Sequence, residues 1–182
     1  HLAAMEGFLA GSGGIGSLRE DYLGTVEGFA ACLHVLAESG LVSVVRGIQE
    51  PERDNIKIAA TWISALEKEG VKRPGECMLI SRDELAVSTL ASRSPVSGRT
   101  VESFRKVARE MSWEAEWFPG VSPGETNRTH VLPGPKGTSI SWYHQAMQEL
   151  LSSQRADFLK SWIAQVRPAT DDKPFFSDFF RW

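Results

Sequence analysis

Residues 17–46 constrain the fold of this chain more than any other stretch. They read Ser-Leu-Arg-Glu-Asp-Tyr-Leu-Gly-Thr-Val-Glu-Gly-Phe-Ala-Ala-Cys-Leu-His-Val-Leu-Ala-Glu-Ser-Gly-Leu-Val-Ser-Val-Val-Arg. Ser17 with Glu20 forms a capping box, in which each side chain satisfies an orphan N–H at a helix start. Tyr22, Val26, Phe29, Leu33 and Leu36 recur every three or four residues, an apolar stripe facing a core. Gly40 supplies a left-handed residue to stop the helix. Leu41-Val42-Ser43-Val44-Val45 is short and β-branched, which predicts a strand. A helix feeding directly into a buried strand is the repeating unit of an α/β sheet.

The remaining chain continues in that idiom. After a polar turn at 47–53, Asp54 caps a second helix whose Ile58, Trp62, Ile63 and Leu66 face inward and which ends at Gly70. Two apolar runs, 76–81 and 85–92, are separated only by Arg82-Asp83-Glu84, too short for a crossover, so they pair antiparallel. A helix follows at 100–111, with Val101, Phe104, Val107 and Ala108 on one face, and then a strand at 113–118. Residues 119–137 carry four Pro and four Gly, and loops this long are functional or mobile. They include the sequon Asn127-Arg128-Thr129, relevant only to a secreted chain. Short helices are expected at 139–151 and 154–164.

At 182 residues and 42% hydrophobic, the chain has enough apolar material for one sizeable core. A net charge of −3 and no Lys/Arg-rich face exclude a nucleic-acid footprint. Cys32 and Cys77 lie apart inside apolar elements, as buried thiols do. His130 and His144 lack a second ligand at metal-site spacing. No apolar run reaches the ~18 residues needed to cross a bilayer, and no signal peptide is visible. Gly11-Ser12-Gly13-Gly14-Ile15-Gly16 matches a dinucleotide fingerprint, yet the segment before it is a poor strand, and the strand after the helix ends in Arg46 rather than an acid that would hold a ribose. A loop feeding the helix is the simpler reading. Five of the last eight residues are aromatic, which suits a strap packed on the domain or an approach to a membrane interface. His1 in first place and the closing Phe-Phe-Arg-Trp read as cut ends of a longer protein.

Thr170-Asp-Asp-Lys-Pro-Phe-Phe176, with Glu20-Asp-Tyr-Leu-Gly-Thr-Val-Glu-Gly-Phe29 and Gly40-Leu-Val-Ser-Val-Val-Arg46, resembles the spermidine/spermine synthase-like family, and in particular its large bacterial members that combine the synthase-like domain with transmembrane helices. The resemblance runs from about residue 17 to the end. It implies an S-adenosylmethionine-dependent methyltransferase fold, Rossmann-like, with a mainly parallel sheet whose last strand is antiparallel. The expected fold class is therefore α/β: part of such a domain, a mixed sheet ending in an antiparallel strand pair, helices on its faces. Residues 1–166 would be the C-terminal portion of that domain and 167–182 an aromatic strap.

The resemblance further implies a reaction, the transfer of an aminopropyl (or methyl) group from decarboxylated S-adenosylmethionine or a related donor to an amine. Such a site needs carboxylates to hold a cationic amine and a base to take its proton. Glu6 is the only carboxylate near the family's catalytic position, and Glu20, Asp21 and Tyr22 are placed to face a cationic substrate. The nucleoside-binding loop would lie upstream, so the parent protein, rather than this stretch alone, is expected to bind the donor and react. The expected setting is a cytoplasmic domain tethered at the bacterial inner membrane, with an amine and a nucleoside donor as partners and an oligomer open. Two other readings stand beside this one: a non-catalytic binding or regulatory domain that keeps the fold, and a nicotinamide-dinucleotide site at residues 11–16.

Overall fold

The computed structural model describes residues 2–3, 19–134, 137 and 141–180. Glu6, the glycine run at 11–16 and Ser17 lie outside the described residues. The described chain is mixed α/β, in the order β1 (Leu2–Ala3), α1 (Val26–His34), β2 (Val42–Gly47), α2 (Asp54–Lys68), β3 (Met78–Arg82), β4 (Ala86–Ala91), α3 (Gly98–Glu110), β5 (Glu114–Trp117), α4 (Trp142–Leu150) and α5 (Arg155–Ser161).

One sheet runs β1-β2-β4-β3-β5. β1 is parallel to β2, with Leu2 opposite Val44. β4 lies antiparallel between β2 and β3, and β5 lies antiparallel outside β3. Strands β1, β2 and β3 thus share one direction, while β4 and β5 oppose it. The 82–84 turn pairs β3 with β4 as the spacing requires, Asp83 accepting the N–H groups of Leu85 and Ala86. The sheet does not end on that pair, however, because β5 adds one more strand.

Helix α2, rather than the segment after Ser17, is the hub. Eleven of its fifteen residues are buried, so it is apolar on more than one face and must sit between layers. Trp62 stacks on Phe29 of α1 with ring centroids 4.1 Å apart. The main core joins α1, α2 and α4 to one face of the sheet through Val44, Met78, Ile80 and Val87. The opposite face is covered by α3, where Leu79, Val101 and Phe118 meet. Strand β3 is buried along its whole length because both its faces are covered.

Several local expectations are corrected. α1 begins at Val26, with Thr25 as its cap, nine residues after Ser17 would have started it. Tyr22 sits in a short 3-10 turn, Tyr22–Gly24, and is 54% exposed rather than part of the core stripe. Gly40 is not left-handed; Gly70, which ends α2 as expected, is, at φ 82°. Asp54 is the first residue of α2 and not its cap; the N–H of Asn55 is instead satisfied by the Glu52 carboxylate at 3.1 Å. On α3, Val101 and Ala108 are buried but Val107 is 45% exposed.

Candidate functional site

In an open α/β sheet, ligands gather beyond the carboxyl ends of the parallel strands. Here that edge is the end of β2 and the amino end of α1, joined by the tail. Asp21 accepts the Gly24 N–H at 3.0 Å and so caps the 3-10 turn. Thr25 is fully buried; its hydroxyl accepts the Gly28 N–H at 3.0 Å and donates to the Asp171 carboxylate at 2.7 Å. The Asp21 N–H donates to the Pro174 carbonyl at 2.6 Å, and the Val26 N–H to the Ala169 carbonyl at 2.9 Å. Glu27 accepts the Asp171 N–H and the Lys68 ammonium, which holds its carboxyl below the usual range.

Glu20, Asp21 and Tyr22 therefore come together, and the tail adds Asp171, which bonds the Thr25 hydroxyl and acts on the Tyr22 phenol. The Tyr22 hydroxyl donates to Glu20 at 3.2 Å. This hydrogen bond, with the Glu20 charge behind it, raises the phenol above its ordinary value. The result is an exposed rim of carboxylates with one hydroxyl, suited chemically to holding an ammonium group. Glu6 lies outside the described residues.

Beneath the rim, the tail is seated on cations. Phe176 is buried, with the Arg46 guanidinium 5.4 Å and the Lys57 ammonium 5.3 Å from its ring centre. Phe179 lies under Arg53 at 4.8 Å and Lys57 at 4.9 Å. Lys57 is only 2% exposed and donates to the carbonyls of Phe175 (3.4 Å) and Asp178 (3.0 Å). Burial pushes its ammonium down to about 8, against the pull of Asp178 and Asp54. Asp54 is itself raised by burial, partly offset by Arg53, Arg46 and Lys57.

A second buried polar group lies at the far side of the sheet. Arg82, at the end of β3, donates to Glu116 at 2.7 Å and to Asn127 Oδ1 at 2.7 Å, and also to the His130 carbonyl. Glu114 is buried, which alone would raise it, but the N–H groups of Arg128, Thr129 and His130 outweigh that and hold it low. These contacts staple the 119–137 loop to the sheet, so its described part is built as structure. The sequon's Asn127 Nδ2 donates to Leu132 O at 3.0 Å. Glu52 is held by Asn55 and the Tyr143 hydroxyl (2.8 Å) and raised by burial. Asn55 and Tyr143 of the Glu52 cluster line a small cavity of about 10 Å³.

The sequence sets Arg82 between two strands and Asp171 in the tail motif, and it assigns Lys57 and Glu52 no role. One signal was available for the first. Glu114 and Glu116 alternate in β5, so both face one side of a covered sheet and need cationic or N–H partners. For Lys57 the partners lie 118 and 121 residues away, and nothing local announces them.

Cys77 is fully buried, its thiol pushed up to about 11, and Cys32 is half-buried. His144 is a buried core histidine, lowered by desolvation. Among the described residues no three His, Cys, Asp or Glu side chains are grouped to hold a metal, and no helix is long and apolar enough to cross a membrane. Comparison with protein-family models, with curated proteins and with solved structures returns no match.

Proposed function

We propose that this chain is the C-terminal portion of an aminopropyltransferase-like domain of the methyltransferase fold, and that the rim at the amino end of α1 receives the amine acceptor. The observation that carries the reading is the cluster of Glu20, Asp21, Tyr22 and Asp171 at the carboxyl-end edge of the parallel strands, where ligands of such sheets bind. One local feature supports the fold: β4 runs antiparallel between the co-directional β2 and β3, while β5, antiparallel outside β3, departs from the expected ending and three of the four pairings are antiparallel.

In this reading a diamine places one ammonium among the rim carboxylates, while its other nitrogen, neutral, attacks the carbon beside the donor sulfonium. The N–C bond forms, the C–S bond breaks, the sulfur leaves as a thioether, and the amine proton passes to a base. Glu6 is the residue assigned to that step. Decarboxylated S-adenosylmethionine is the donor the reading requires, held by residues of the parent protein. The alternative of a non-catalytic domain keeps the same rim as a binding surface. Nothing described favours a dinucleotide reading, because Arg46, at the end of β2, lies over Phe176 rather than offering an acid to a ribose.

Calorimetric titration of the chain with 1,4-diaminobutane tests the acceptor assignment. Saturable binding is expected, weakened roughly fivefold (about 1 kcal/mol) in Glu20→Gln/Asp171→Asn, since exposed ion pairs contribute 0.2–1 kcal/mol each. An affinity indifferent to both substitutions would remove the rim from the account.

A further inference from the structure

We propose that the open pocket where the C-terminal ends of α1 and α2 meet the end of β4 binds a small α-amino acid with an aliphatic side chain. This goes beyond the acceptor reading and does not depend on it. Val42 opposite Ala91 sets the end of β4 beside the start of β2, whereas the rim lies past the end of β2.

The pocket has a volume of about 130 Å³ and is lined by Leu33, His34, Leu66, Glu69, Val71 and Arg93. Its floor follows from the helix pattern. Leu33 and Leu66 sit on the apolar stripes of α1 and α2 and are buried, and Val71 packs against the same core. Helix α2 stops at Gly70, whose φ is 82°, and the Val71 N–H returns to the Leu66 carbonyl at 3.0 Å. That reversal brings Val71 back to the pocket wall.

The polar wall carries both signs. Glu69 Oε2 meets His34 Nε2 at 3.0 Å. Arg93 is exposed and donates from Nη1 to the Leu36 carbonyl at 3.4 Å, and among the described residues no carboxylate pairs with it. A guanidinium at a pocket mouth without an acid partner suits a carboxylate ligand, which its planar fork matches. A plain anion is opposed by Glu69 and by the carbonyl ends of two helices, whose partial negative charge attracts cations. A zwitterion answers both demands. Its carboxylate meets Arg93, its ammonium faces Glu69 and the helix ends, and its aliphatic side chain covers Leu33, Leu66 and Val71. Size agrees, since this volume falls below the roughly 300–1,000 Å³ of pockets for larger ligands.

Amide chemical shifts of the isotope-labelled chain, followed during titration with L-valine at constant ionic strength, test the proposal. Saturating shifts are expected at residues 33–36, 66–71 and 92–94. Isovalerate, which lacks the ammonium, and isobutylamine, which lacks the carboxylate, should each bind about tenfold more weakly, as befits the loss of one charge-assisted contact. Arg93→Gln should weaken valine about tenfold without weakening isobutylamine, and Glu69→Gln should weaken valine without weakening isovalerate. Absence of saturation with valine, an unchanged valine affinity in Arg93→Gln, or isovalerate bound as tightly as valine would each overturn the assignment. Should a variant fail to fold, the three ligands compared on the unaltered chain decide the matter alone.

Discussion

Arg82, Glu116 and Lys57 are buried charges whose partners lie far along the chain. Arg82 and Glu116 form a fully buried ion pair with side chains 1% and 0% exposed. Breaking such a pair strands a charge, so Arg82→Met should cost about 3–5 kcal/mol in urea unfolding, whereas the double replacement Arg82→Met/Glu116→Leu should recover much of it. Lys57 makes a pH prediction with a definite sign. Its ammonium titrates at about 8 in the folded chain against an ordinary 10.5, so the unfolded chain binds the proton more tightly. Stability is then lowest below pH 8 and rises as the pH climbs toward 10.5, by up to about 3 kcal/mol. The raised Cys77 thiol works the other way above its ordinary value of 9.0. The Lys57 contribution is therefore read as the difference between the unaltered chain and Lys57→Met across pH 7–10. A flat difference would contradict the burial assigned to that ammonium.

At the scale of elements, the junction before α1 shows what sequence does and does not settle. Ser17 with Glu20 and Thr25 with Gly28 are both plausible starts by local chemistry. Thr25 caps the helix in the fold, where the tail supplies Ala169 as an acceptor for Val26 and Asp171 as a partner for the hydroxyl. Gly28 is dictated by the 3-10 turn just before the helix: a Cβ there would run into the Tyr22 carbonyl and the Leu23 backbone. Gly28→Ala, ordinarily favourable within a helix, should therefore destabilise the chain and displace the 3-10 turn, seen as lower thermal stability with shifted amides at residues 22–25. Thr25→Val keeps the shape and removes both hydrogen bonds, and a loss of 0.5–2 kcal/mol is expected for a cap of this kind. Elements set by local period were legible: Ile58, Trp62, Ile63 and Leu66 are buried, and β3 pairs with β4 across the turn. Elements set by distant partners were not, which is why the 119–137 loop reads only as functional or mobile in the sequence, although Glu114 and Arg82 hold part of it to the sheet.

For the molecule as a whole, the central claim is that the tail and the amino end of α1 build one acidic rim at the carboxyl-end edge of the sheet, and that this rim binds amines. Helix α2 fixes the geometry from beneath, since it carries both the Trp62 core contact and the Lys57 anchor. The rim residues Glu20, Asp21 and Tyr22 read in the sequence as the first turn of a helix, with Tyr22 in its core stripe, whereas the fold sets them before α1. Their convergence with Asp171, 146 residues beyond Thr25, required the fold. The most direct measurement follows amide chemical shifts of the isotope-labelled chain during titration with 1,4-diaminobutane at low ionic strength, where exposed charges are least screened. The account predicts saturating shifts confined to residues 20–25 and 171–173, absent when sodium replaces the diamine at equal ionic strength. Linear shifts scattered over the other acidic surface residues, or a saturating response centred elsewhere on the sheet, would contradict it.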